Sequence, residues 1–132
     1  MIAALIAAGL QAAAPAADED AAALADLVAR GERVYIRCMA CHALKAGEPH
    51  KVGPNLHGFW GEPAASREGF DYSGALEEAG VVWTAETLDP FLEAPNRYVP
   101  GTTMAYAGLR REQDRAAVIA FLRAATASDA SQ

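Results

Sequence analysis

The 132-residue sequence predicts an all-α fold in a single domain. Apolar residues recur at helical spacings near both ends of the chain, no stretch reads as a strand, and glycine and proline concentrate in two stretches, Gly47 to Gly80 and Pro95 to Gly108, that read as long loops. A chain of this length can bury one core, and no internal repeat divides it.

The first helix follows from Leu24, Leu27, Val28, Gly31, Val34 and Tyr35, preceded by Asp18, Glu19 and Asp20, where negative charge suits a helix N-terminus. A glycine in mid-helix costs up to about 1 kcal/mol relative to alanine, so Gly31 predicts close crossing by another helix. That partner is the last helix, built on Ala117, Val118, Phe121, Leu122 and Ala125 and opened by Glu112 and Asp114, with Tyr35 packed near Phe121. Between them a middle helix is expected over residues 85–93, with Thr84 as N-cap and Pro95 beyond its end. Pro90 lacks an amide hydrogen and clashes with the preceding turn, so this helix is expected either to kink or to begin again with Asp89 as cap.

At the N-terminus, Ile2 to Ala14 is apolar and alanine-rich, followed by small residues and then acids. Residues 1–17 resemble a secretory signal, although the usual positive start is missing, and leave a domain over residues 18–132 with a periplasmic address. The run is short for a membrane span, and an uncleaved anchor is the lesser reading.

Cys38-Met39-Ala40-Cys41-His42 carries the chemistry and contains both cysteines of the chain. Two thiols three residues apart, followed at once by an imidazole, form the c-type haem attachment pattern: each thiol can add across one porphyrin vinyl group, while His42 is carried under the iron. Cys38 and His42 share a helix face. Three other readings compete. A thioredoxin-like pair needs alternating strands and helices, a zinc site needs further ligands at metal-binding spacing, and a disulfide staple suits a smaller core than this one. The motif leaves the sixth position of the iron to a side chain, a diatomic ligand or water.

Two further motifs follow in order, Lys51-Val52-Gly53-Pro54-Asn55-Leu56-His57-Gly58 and Tyr98-Val99-Pro100-Gly101-Thr102-Thr103-Met104-Ala105-Tyr106. With them the chain resembles the class I cytochromes c from about Gly31 to Ala125. The resemblance implies the cytochrome c fold: crossed terminal helices, short middle helices and long loops around one haem c attached through Cys38 and Cys41. It makes His42 and Met104 the axial metal ligands, and it makes Pro54 the carbonyl that accepts the other ring N–H of His42. Tyr72 and Trp83 match the pair that hydrogen-bond a buried haem propionate, Thr102 is expected near Met104 or a propionate, and Tyr106 closes the haem crevice. Leu56, Leu92 and Leu122 match apolar pocket positions. His50 is expected to bridge two loops and His57 to be exposed, neither on the iron.

Three positions depart from the mitochondrial pattern. Glu62 stands where those members carry an arginine near the propionate, so either Glu62 is expected to turn to solvent or one of the two carboxyl groups to be partly protonated. Phe91 replaces a tyrosine and Leu76 an asparagine, making the Met104 side less polar.

The net charge of −6 excludes a generally basic nucleic-acid surface. The resemblance implies that Arg37, Lys51, Arg97, Arg110 and Arg111 lie at the haem edge while acids cluster elsewhere, the alternative being an evenly mixed solvated surface. The expected function is a monomeric one-electron carrier, not an enzyme, between a quinol-oxidising complex and an oxidase or photosynthetic reaction centre. An open-site haem protein with peroxidase or gas-binding activity, or the electron inlet of a single enzyme, are the alternatives.

Overall fold

The computed structural model describes Gly9 and residues 16–127. The expected signal segment, residues 1–17, lies outside the described residues apart from Gly9 and the first two residues of a helix. Five helices follow in order: α1 Ala16–Tyr35, α2 Gly74–Glu78, α3 Ala85–Glu93, α4 Pro95–Tyr98 and α5 Glu112–Ala125. Among the described residues no strand forms, and the one bridge pairs Pro63 with Val82. The all-α expectation holds.

The frame is the crossing of α1 and α5. A Cβ on Gly31 would collide with the Ala117 carbonyl and come within 2.6 Å of the Phe121 Cβ. The two backbones can therefore approach this closely only because position 31 has no side chain. Tyr35 packs on Phe121 with ring centroids 5.3 Å apart, and Arg30 pairs with Asp114 at 2.8 Å. The crossing lies near the C-terminal end of α1. Its earlier turns extend past the partner, so Leu24, expected inside, is 56% exposed, while Leu27 and Val28 are half-buried.

The middle of the chain closes over this frame. Thr84 and Thr87 form a reciprocal cap at the start of α3, with each backbone N–H donating to the other's hydroxyl. The helix runs through Pro90 without restarting, because Leu88, Phe91 and Leu92 on its inner face are buried in the core. Asp89 is no cap. Its carboxylate accepts from the buried Arg115 of α5 at 2.8 Å, and the same guanidinium donates to the carbonyls of Leu109 and Arg110.

Two of the short helices that the resemblance implies had no position assigned from the sequence. Ser73 caps α2 by accepting from the Leu76 N–H at 3.2 Å, and Pro95, read as a terminator, is the first residue of α4. At the far end of α5, the Thr126 carbonyl accepts from Gly58 at 2.7 Å, tying the central loop to the helix pair.

Gly31→Val should lower the unfolding free energy by about 2–3 kcal/mol, since the added atoms must displace backbone rather than a flexible side chain. Urea unfolding followed by circular dichroism measures it. An unchanged midpoint would mean that the helices do not meet at Gly31.

Candidate cofactor site

Cys38 to His42 leave the end of α1 as one further helical turn. The Cys38 N–H donates to the Tyr35 carbonyl at 2.8 Å, and the His42 N–H donates to Cys38 at 3.0 Å, the four-residue step of an α-helix. Cys38 and His42 therefore share a face, and both cysteines are free and half-buried. Burial pushes the Cys38 thiol up, against the pull of Arg37. Tyr35 secures the turn by donating its hydroxyl to the His42 carbonyl at 2.8 Å.

The loop after the motif holds the imidazole. His42 Nδ1 lies 2.7 Å from the Pro54 carbonyl, which can only accept, so the proton is on Nδ1 and the lone pair is on Nε2. Burial pushes His42 below the ordinary histidine value, with the Pro54 carbonyl opposing and Lys51 adding to the depression. A neutral ring with one free lone pair is the state in which histidine binds a metal. Gly53 makes the approach possible, because a Cβ there would lie 2.7 Å from His42 Nδ1. The Gly53 N–H donates to Cys41 at 2.8 Å, Leu56 donates to Ala43 at 2.9 Å, and Lys51 Nζ reaches the Met39 carbonyl at 3.0 Å.

The other two histidines are placed differently. His50 accepts from the Asn55 N–H at Nδ1 and donates from Nε2 to the Glu68 carbonyl, at 2.9 Å each. It bridges two loops, as expected, with both nitrogens engaged. His57, expected to be exposed, is half-buried, and its backbone N–H donates to the Asn55 side chain.

Met104 is set by the turns on either side of it. Val99, Pro100, Gly101 and Thr102 form a turn closed by Thr102 donating to Val99 at 3.1 Å, with Gly101 at φ 90°. Beyond Met104, Gly108 sits at φ 124° so close to the Glu93 carbonyl that no Cβ fits, and Leu109 donates to Leu92 at 2.7 Å. Between these anchors the Thr102 hydroxyl accepts from the Met104 N–H at 3.3 Å, and the Met104 carbonyl accepts from Tyr106. Thr102 thus lies beside Met104. Cys38, Leu56, Trp83, Met104 and Tyr106 all pack against the one cluster that contains Tyr35, Leu92 and Leu122.

Trp83 packs on Phe91 with the rings tilted and their centroids 4.9 Å apart, and the phenylalanine in the tyrosine position is buried in the core. Leu76, on α2, also packs against the cluster. The Tyr72 hydroxyl accepts from the Arg67 N–H at 3.2 Å. Burial pushes this phenol up, against the Arg67 N–H and the Arg67 charge. Glu62 is exposed, and its backbone pairs with Trp83. Sequence reasoning missed Arg67. Its Nη2 is buried with no hydrogen-bond partner, and a lone arginine in a loop gives no periodic signal.

These residues fit a covalently held haem. A neutral imidazole with a free Nε2 suits haem iron, the two thiols lie in the same turn, and the Gly53 backbone cradles the ring where a side chain would displace it.

The Cytochrome c family model matches residues 28–126. The sequence is 47% identical over 90 residues to a cytochrome c of Stellaria longipes, covering 68% of this chain and 83% of the relative. It is 43% identical over 86 residues to that of Kluyveromyces lactis, covering 65% and 78%. Against that of Chlamydomonas reinhardtii it is 44% identical over 101 residues, covering 76% and 90%. These organisms are eukaryotes, whose cells have no periplasm, and that finding overturns the periplasmic address. An apolar, alanine-rich start is weak ground for an address, because composition alone resembles several kinds of leader.

Burial pushes the Tyr35 phenol up to about 12, with the charges of Cys38 and Glu48 adding to it. A thioether at Cys38 carries no charge, which leaves burial as the main cause. An exposed tyrosine ionises near pH 10, so above that the unfolded chain releases its proton first. The stability present below pH 10 should therefore be lost as the pH rises through about 12. Urea unfolding across this range should show a shallower decline in Tyr35→Phe than in wild type. Equal slopes would mean that Tyr35 titrates normally.

Proposed function

Because the chain belongs to the cytochrome c family, we propose that His42 and Met104 would hold the iron of its haem, which would supply one-electron exchange. The chain carries one covalent haem c through Cys38 and Cys41 and is an electron carrier rather than an enzyme. The observation that carries the ligand assignment is the 2.7 Å hydrogen bond from His42 Nδ1 to Pro54, which leaves Nε2 as the metal-binding nitrogen.

The haem supplies reversible exchange of one electron between ferric and ferrous iron. The protein contributes position and polarity. His42 is held from both sides, by Tyr35 on its carbonyl and Pro54 on its ring. Met104, held by Thr102, offers a soft, neutral sulfur that favours ferrous iron more than a second histidine would. Neither ligand changes charge or needs to move. Leu56 and Tyr106, which pack against the core cluster containing Leu92, would keep water from the iron, and Tyr72 and Trp83 would hold a haem propionate.

The partners are redox protein complexes. We assign as donor a quinol-oxidising complex and as acceptor an oxidase or photosynthetic reaction centre. Arg37, Lys51, Arg97, Arg110 and Arg111 are all exposed, which supports recognition of acidic partner surfaces, and such contacts weaken with salt. Exposed Ile36, Met39 and Val52 add apolar contact area beside the attachment turn.

The ligand assignment is tested on haem-loaded protein by comparing wild type with Met104→Ala in both oxidation states. Wild type should show the methionine-to-ferric-iron charge-transfer band and refuse carbon monoxide when reduced. The variant should lose the band and bind the gas. A wild type that takes up carbon monoxide readily, or a variant with an unaltered spectrum, would remove Met104 from the iron.

A further inference from the structure

Arg67 presents an unmet electrostatic demand. Its Nη2 is the one buried side-chain nitrogen or oxygen without a hydrogen-bond partner among the described residues. Buried polar groups are nearly always paired, and a guanidinium nitrogen left without an acceptor is among the costlier exceptions. The ion pairs among the described residues join Arg30 to Asp114 and Arg115 to Asp89, so neither involves Arg67. The neighbouring acids Glu62, Glu68 and Asp71 are exposed, and His50 is engaged at both nitrogens. The chain therefore carries a cation whose anion is not among its own described side chains.

The place of Arg67 says what that anion is. Its backbone N–H donates to the Tyr72 hydroxyl at 3.2 Å, and its charge pulls the Tyr72 phenol down against burial. The guanidinium thus acts on the oxygen that the functional reading turns toward a haem propionate. A haem c brings two carboxylates into the fold permanently, and guanidinium pairs with carboxylate through charge-assisted hydrogen bonds. We propose that Arg67 is the cation that holds the buried haem propionate ionised beside Tyr72. This rests on the reading of Tyr72 as a propionate ligand.

Arg67 is a positioning residue and touches no iron ligand. Its effect is on proton coupling. With the cation present the propionate stays charged in both oxidation states, and reduction takes up one electron alone. Without it, the charge lost at the iron on reduction raises the affinity of the propionate for a proton, so reduction takes up one electron and one proton from solvent.

The test measures the reduction potential of the haem-loaded protein against pH for wild type, Arg67→Gln, Arg67→Lys and Tyr72→Phe. Wild type should be flat between about pH 5 and 8. Arg67→Gln should fall with rising pH in part of that window and lie below wild type at its upper end, and Arg67→Lys should restore part of the flat profile. A flat, unshifted Arg67→Gln beside an altered Tyr72→Phe would overturn the proposal and leave the Tyr72 reading standing. If both variants match wild type, the two ideas fall together. Should Arg67→Gln fail to mature, carbon-13 NMR of labelled propionates in wild type decides. Ionisation persisting below the ordinary carboxylate value of about 4.3 supports the pair, and titration at or above it overturns it.

Discussion

The absence of a side chain at Gly31 is the constraint on which the rest of the molecule depends. It lets the backbone of α5 lie against the backbone of α1, with Ala117 and Phe121 where a Cβ would otherwise stand. Tyr35, one turn on, then serves two purposes. Its ring packs on Phe121 at the crossing, and its hydroxyl holds the His42 carbonyl in the attachment turn. The turn that carries the cofactor is thus an extension of the helix pair rather than a loop attached to it. The far end of α5 repeats the arrangement, since Thr126 ties down Gly58 in the loop that supplies Gly53 and Pro54.

Around that frame, loops place the chemistry where helices would be too regular. Met104 lies in a segment suspended between the Pro100–Gly101 turn and the docking of Gly108 and Leu109 on α3, and both glycines have backbone angles that other residues rarely adopt. His50 and Asn55 perform the same service on the other side. The Asn55 side chain donates to the carbonyls of Lys45 and Glu48, and His50 joins Asn55 to Glu68. These loops contain little regular structure, so side chains satisfy the backbone groups that a helix would have paired within itself.

Much of this was legible in the sequence because the signals were local. The two terminal helices announced themselves by spacing, Thr84 by its position before α3, and the attachment turn by the order of its five residues. What escaped had no local signal or a misleading one. The five residues of α2 and four of α4 are too short for a hydrophobic period to register. Pro90 suggested an interruption that buried neighbours on α3 override, and Leu24 fits the period of α1 but lies beyond the reach of its partner. The leader-like composition of the N-terminus pointed to a periplasm that the eukaryotic relatives do not have.

By itself the sequence determined the all-α class, through helical periodicity, and the covalent cofactor, through the spacing of Cys38, Cys41 and His42, whereas Met104 entered only through the resemblance to the class I cytochromes c. Only the tertiary structure decided which ring nitrogen of His42 is free, that both ring nitrogens of His50 are engaged, and that Arg67, bonded to Tyr72 through its backbone, keeps a buried Nη2 with no partner. Those facts depend on carbonyls, hydroxyls and charges brought together from separate segments. Linear order carries no record of such distances.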